Sequence, residues 1–84
     1  MLFYSAEFKK QLKKLHKKLR NKVKERLAIF LANEFSEILD NHKLHGEYNN
    51  CRSISISGDI RVIYYKLNEK DYKMVAVGTH SQLY

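Results

Sequence analysis

Arg52-Ser53-Ile54-Ser55-Ile56-Ser57-Gly58-Asp59-Ile60-Arg61-Val62-Ile63-Tyr64-Tyr65-Lys66-Leu67 is the stretch on which the fold turns. Isoleucine and serine alternate from Arg52 to Ser57, the period of a strand with one buried face. Gly58-Asp59 is a tight-turn pair. A second strand runs from Ile60 to Leu67, with Ile60, Val62 and Tyr64 on one face and Arg61, Ile63 and Tyr65 on the other. Folded about that turn, the hairpin brings Arg61 opposite Ser55 to within one residue of register. Asn68-Glu69-Lys70-Asp71 makes a polar turn, and Tyr72 to Val77 is a third strand.

Upstream the period becomes helical. Leu2-Phe3-Tyr4 reads as a short first strand, and Ser5 as an N-cap with Glu7 in the first turn. Phe8, Leu12, Leu15 and Leu19 form one stripe on a helix of about four turns. Lys9, Lys10, Lys13, Lys14, Lys17 and Lys18 take its other face. Arg20-Asn21-Lys22 breaks the chain, and Val23, Leu27, Phe30 and Leu31 give a second stripe. Phe35, Ile38 and Leu39 add a further turn, and Asn41 to Asn50 is a polar loop. The order β-α-α-β-β-β predicts an α+β fold, an N-terminal strand and helical hairpin packed on an antiparallel sheet. At 84 residues this is one domain, 1–84, whose single small core favours a stabilising partner chain.

The net charge is +7, and it is uneven. Residues 1–26 hold ten basic and two acidic side chains, whereas residues 27–84 hold six and seven. Such asymmetry points to an anionic partner. The lysine face is either solvated or a phosphate-binding ridge, and the scarcity of acids beside it favours phosphate. A membrane-surface helix is disfavoured, because the apolar stripe is needed to cover the sheet and the chain has no tryptophan. No apolar run approaches the roughly 18 residues of a membrane span, and Met1-Leu2-Phe3-Tyr4 is no secretory signal. The one cysteine, Cys51, has no internal partner, which fits a reducing, cytoplasmic setting.

Four histidines are present. His16 reads as a surface residue of the basic helix. His42 and His45 lie in the polar loop, as its caps or as metal ligands. Their spacing suits a metal, with Cys51 or His80 as a third ligand, but two ligands do not make a site. No metal or cofactor is therefore expected. His80 follows the apolar run Met74-Val75-Ala76-Val77 through Gly78-Thr79, and the chain continues Ser81-Gln82-Leu83-Tyr84. This places an imidazole and a phenol at one end of a sheet. Cleaving RNA without a metal needs a base for the 2′-hydroxyl, a cation for the phosphate and an acid for the leaving 5′-oxygen. Asp59, unless it only satisfies its turn, and His42 and His80 are candidates for base and acid. Arg61 and Arg52 are candidates for the phosphate, unless both are solvated strand residues. Tyr84 is placed to stack on a base or orient the phosphate.

These motifs, Asn41-His42-Lys43-Leu44-His45-Gly46, Cys51-Arg52, Gly58-Asp59-Ile60-Arg61-Val62-Ile63-Tyr64 and Gly78 to Tyr84, together resemble the RelE/ParE toxin superfamily, and its YafQ branch most. The resemblance spans the whole domain, and Gly-Thr-His with a terminal aromatic is its most specific part. It implies a toxin of a type II toxin–antitoxin pair, a ribosome-dependent mRNA endonuclease that inhibits translation and is held by a cognate antitoxin. His42, Asp59, His80 and Tyr84 then match the branch's loop histidine, aspartate, late histidine and terminal aromatic. Arg61 matches the strand arginine of RelE-type toxins. The branch's strand histidine is replaced here by Ser55, its last-strand arginine by Ala76, and the frequent tryptophan after the aspartate by Ile60. Those losses keep open a ParE-type, non-nuclease toxin acting on DNA gyrase, or an inactive module that only binds its antitoxin.

Overall fold

The hairpin of residues 52–67 forms the centre of a five-stranded sheet. In the computed structural model, which describes residues 1–84, the chain runs β1 (Leu2–Tyr4), α1 (Ala6–Lys14), α2 (Lys17–Ala32), β2 (His42–Lys43), β3 (Arg52–Ser57), β4 (Ile60–Lys66), β5 (Tyr72–Thr79) and α3 (His80–Leu83). Short 3₁₀ turns lie at Glu37–Leu39 and Gly46–Tyr48. The strand order is β1-β5-β4-β3-β2. The fold is α+β as expected, with one correction. The sheet is mixed, because β1 pairs with β5 in parallel. Ser5 fixes that direction: its N–H donates to the Met74 carbonyl (3.0 Å) and its hydroxyl to that of Val75 (2.7 Å). The same hydroxyl oxygen accepts from the Phe8 N–H at 2.9 Å, so one serine ends β1 and caps α1. Beyond Tyr4 the edge of β5 is covered by α1, where Gln11 Oε1 accepts the Val77 N–H at 2.8 Å.

The expected first helix is two helices. Leu15 is extended (φ −76°, ψ 144°) and His16 is the N-cap of α2. The Arg20 guanidinium bonds to the freed Leu15 carbonyl, which compensates the break. Lys17 and Lys18 consequently begin α2 rather than end α1. Both Leu15 and Leu19 still pack against the core. Leu31 falls outside the stripe and is half exposed, as are Phe35 and Ile38. In the loop, His42 and Lys43 pair with Ser53 and Arg52 as an edge strand too short to read from alternation.

The sheet is buried on two faces. On the helical face Phe8, Val23, Leu27 and Phe30 meet Ile54, Val62, Tyr64 and Met74. On the other, Leu44, Ile63, Ala76 and Leu83 form a smaller cluster beneath β2 and α3. A bulge makes this possible. Ile63 pairs with Ala76 but Tyr64 pairs with Met74, so Val75 is the extra residue. One inserted residue exchanges faces, sending Met74 to the helices and Ala76 and Gly78 to the back.

A polar network ties the helical layer to β2. Tyr64 donates to Glu34 Oε2 (2.6 Å), and Asn41 Nδ2 donates to the Tyr64 hydroxyl oxygen (2.7 Å) and the Glu34 carbonyl (3.0 Å). Arg52 Nε donates to Asn41 Oδ1 at 2.7 Å. Tyr72 and Lys66 also reach Glu34. Burial, reinforced by Glu34, pushes the Tyr64 phenol well above its ordinary 10.0.

Tyr64→Phe is expected to cost about 1–3 kcal/mol in urea unfolding, since Glu34 and Asn41 lose a shared partner. A raised phenol keeps its full stabilising effect below its unfolded value and loses it as pH rises beyond. Wild-type stability should therefore fall above pH 10.0, with a smaller fall in the phenylalanine variant. Equal slopes would contradict the network.

Candidate active site

Three segments meet on the back of the sheet. β2 and the residues after it supply His42, Lys43, Leu44 and His45; β4 supplies Arg61; the C-terminal turn supplies His80 and Tyr84. Together they line an open cleft of about 320 Å³. No aspartate or glutamate lines it, while Arg61 and Lys43 are cations and three imidazoles face the same space. Such a lining selects anions.

Arg61 pairs with Ser55 on β3 and Gly78 on β5, so the register expected from the hairpin is the one formed. Ile63 and Ala76 form the next row, on the same face. Arg61 therefore lies directly across from Ser55 and diagonal to Ala76. Its Nη1 is buried and has no hydrogen-bond partner. Arg26 Nε and Ser53 Oγ share that state, but neither residue lines the cleft. A buried guanidinium nitrogen without an acceptor is costly, and the rest of this guanidinium side chain lines the cleft.

His42 is set by its own backbone. Asp40 adopts φ 46°, a left-handed conformation that aspartate tolerates, and turns the chain into β2. The Asp40 carbonyl lies 3.0 Å from His42 Nδ1. A carbonyl only accepts, so Nδ1 carries hydrogen and, in the neutral ring, Nε2 is left with the lone pair. The preceding residue, Asn41, is held by Arg52, Tyr64 and Glu34, which anchors this edge strand to the core.

His80 opens α3. Thr79 caps the turn: its Oγ1 accepts from the Gln82 N–H (3.2 Å), and Gln82 Oε1 accepts from the Thr79 N–H (2.8 Å). One turn on, the Tyr84 ring sits 4.7 Å from the His80 ring. Gly78 lies beneath this turn, and a Cβ there would come within 2.9 Å of Gln82 Oε1.

His42, Arg61, His80 and Tyr84 are thus brought together. Two expected residues are placed elsewhere. Asp59 is exposed at the β3–β4 turn, outside the lining, near the end of the sheet where Ile60 pairs with Thr79. Arg52 lies on the helical side, bonded to Asn41 and over the Phe35 ring at 5.2 Å. Lys9, Lys10, Lys13, Lys14, Lys17 and Lys18 are exposed on α1 and α2, and none makes an ion pair. Lys14 and Gln82 share a second hollow of about 230 Å³, so the basic ridge reaches the far side of the C-terminal turn. Cys51 packs against the back cluster, and burial raises its thiol pKa. Lys43 in the cleft and Asn41 behind it carry no signal in the sequence, because the polar run around them has no strand period.

The family described as bacterial toxin of type II toxin-antitoxin system, YafQ, matches residues 1–84. The fold is similar to YafQ from E. coli strain BL21(DE3), with a TM-score of 0.84, 24% identity and coverage of 100% of this chain and 97% of that one. A chain of the E. coli DinJ–YafQ complex gives 0.80, 28%, 100% and 97% for the same measures. A chain of the Staphylococcus aureus YoeB–YefM toxin–antitoxin complex gives 0.78, 20%, 95% and 95%. No curated protein matches the sequence. No helix is long and apolar enough to cross a membrane.

Gly78→Ala should drive Gln82 off the Thr79 N–H, a loss of about 1 kcal/mol. Hydrogen exchange at the Thr79 amide should accelerate accordingly; unchanged protection would contradict the close packing of β5 against α3.

Proposed function

This chain belongs to the YafQ family of bacterial toxins of type II toxin–antitoxin systems, and on that premise we propose that it is a ribosome-dependent mRNA endonuclease that needs no metal. The single domain, residues 1–84, carries the activity. The observation that supports this reading is the cleft, free of aspartate and glutamate, that His42, Arg61, His80 and Tyr84 line together.

The chemistry follows from the groups. His42 Nε2 takes the 2′-hydroxyl proton, and the 2′-oxygen attacks phosphorus. Arg61 neutralises the crowded phosphate. The bond to the 5′-oxygen breaks as that oxygen receives a proton from His80, leaving a 2′,3′-cyclic phosphate and a 5′-hydroxyl. Tyr84, against the His80 ring, offers a face to a base. Asp59, at the exposed turn, has a supporting electrostatic role. Arg61 serves in place of the branch's last-strand arginine, because it and Ala76 occupy neighbouring strands of one face.

The cleft is shallow, so substrate geometry is supplied by the ribosome, and effective molarity explains the dependence. The lysine ridge of α1 and α2 grips ribosomal RNA phosphates without reading sequence. Arg52 acts indirectly, through Asn41 and the strand that carries His42. The inhibiting partner is an antitoxin with an acidic or amphipathic segment, a reading supported by the DinJ–YafQ and YoeB–YefM complexes of related folds. The site of action is the cytoplasm.

Induction without antitoxin should arrest growth, and primer extension should map discrete cuts within codons. His80→Ala should slow cleavage about 10²–10⁴-fold. Arg61→Ala should abolish it while leaving the circular dichroism spectrum intact. DNA-damage signals without mRNA cuts would replace this reading with the gyrase one; harmless expression of the wild type would reduce the protein to a binding module.

A further inference from the structure

We propose that Tyr48 is a positioning residue, a strut that joins the His42–His45 segment to the C-terminal turn and holds His80 and Tyr84 at the cleft; its catalytic consequence rests on the nuclease reading above. Tyr48 ends the Gly46–Tyr48 turn and is half-buried against the back cluster. Its hydroxyl donates to the Leu83 carbonyl at 3.0 Å, 35 residues away. The ring meets Tyr84 edge-on, with centroids 5.8 Å apart and planes at 89°. Tyr84 in turn lies against His80.

α3 needs such a partner. It has four residues, and only Leu83 is buried. A helix this short has no interior, and its last carbonyls lack partners along the chain. Thr79 and Gln82 secure its start, and Tyr48 secures its end. Tyr48 itself is anchored, since its carbonyl accepts the Cys51 N–H (2.8 Å) while Cys51 accepts from Leu44 (3.0 Å). One rigid aromatic therefore couples the two histidine-bearing walls. Burial raises the phenol pKa, so it remains a donor at neutral pH.

Two variants separate positioning from plain stability. Tyr48→Phe keeps the ring and loses the hydroxyl bond; Tyr48→Leu loses both. With programmed ribosomes, kcat should fall about tenfold for the first, the scale of one hydrogen bond. It should fall about 10²-fold for the second, the scale of an ångström's misplacement. KM should hold in both, because the lysine ridge is untouched. In proton NMR of the free protein, the His80 ring-current shift caused by Tyr84 should shrink in the same order, while dispersed core signals persist. An unchanged His80 shift in the phenylalanine variant, or wild-type kcat in both, overturns the proposal. Should Tyr48→Leu not fold, Tyr48→Phe decides alone. Should the wild type cut no mRNA, the nuclease reading fails, and the His80 shift still decides whether Tyr48 sets the turn.

Discussion

A guanidinium cannot shed its proton at any physiological pH, so a buried guanidinium nitrogen without an acceptor is a standing cost. Arg61 holds Nη1 in that state on a face otherwise packed with Leu44, Ile63, Ala76 and Leu83. Gly78, without a side chain, is its cross-strand neighbour. The cleft beyond is lined by no aspartate or glutamate. On the proposed reading, a half-buried guanidinium would hold a phosphate more firmly than the exposed lysines of α1.

The two walls of the cleft are supplied by the least regular parts of the chain. β2 has two residues and α3 has four, and neither is stable alone. Each is held by a polar anchor from elsewhere. Asn41, clasped by Arg52, Tyr64 and Glu34, holds β2; the Thr79–Gln82 pair and Tyr48 hold α3. The bulge at Val75 turns Ala76 and Gly78 to the back, so that the last strand leads into a turn facing β2. The helical layer thus serves the cleft indirectly, through the Glu34 network.

Much of this was legible in the sequence. The serine–isoleucine alternation gave the hairpin and the Ser55–Arg61 pairing, and Ser5 with Glu7 gave the start of α1. Gly78-Thr79-His80 marked the end of the last strand. What stayed hidden was long-range. Two residues of β2 carry no periodicity, and a bulge leaves no trace in an apolar run such as Met74-Val75-Ala76-Val77. Leu15 fits a continuous helical stripe as well as it fits a break, because it packs against the core either way. Arg52 is in phase with Ile54 and Ile56, and Arg61 is out of phase with Ile60 and Val62, so the pleat sends one to the helices and the other to the cleft.

On the proposed reading, one cationic cleft, rather than the lysine ridge, receives the scissile phosphate. Titration of the free protein with a short single-stranded RNA, 2′-deoxy at one linkage to block cleavage, tests it by NMR. The side-chain signals of His42, Arg61, His80 and Tyr84 should shift together with one saturable dissociation constant. Shifts confined to the α1 and α2 lysines, with those four signals unmoved, would contradict it.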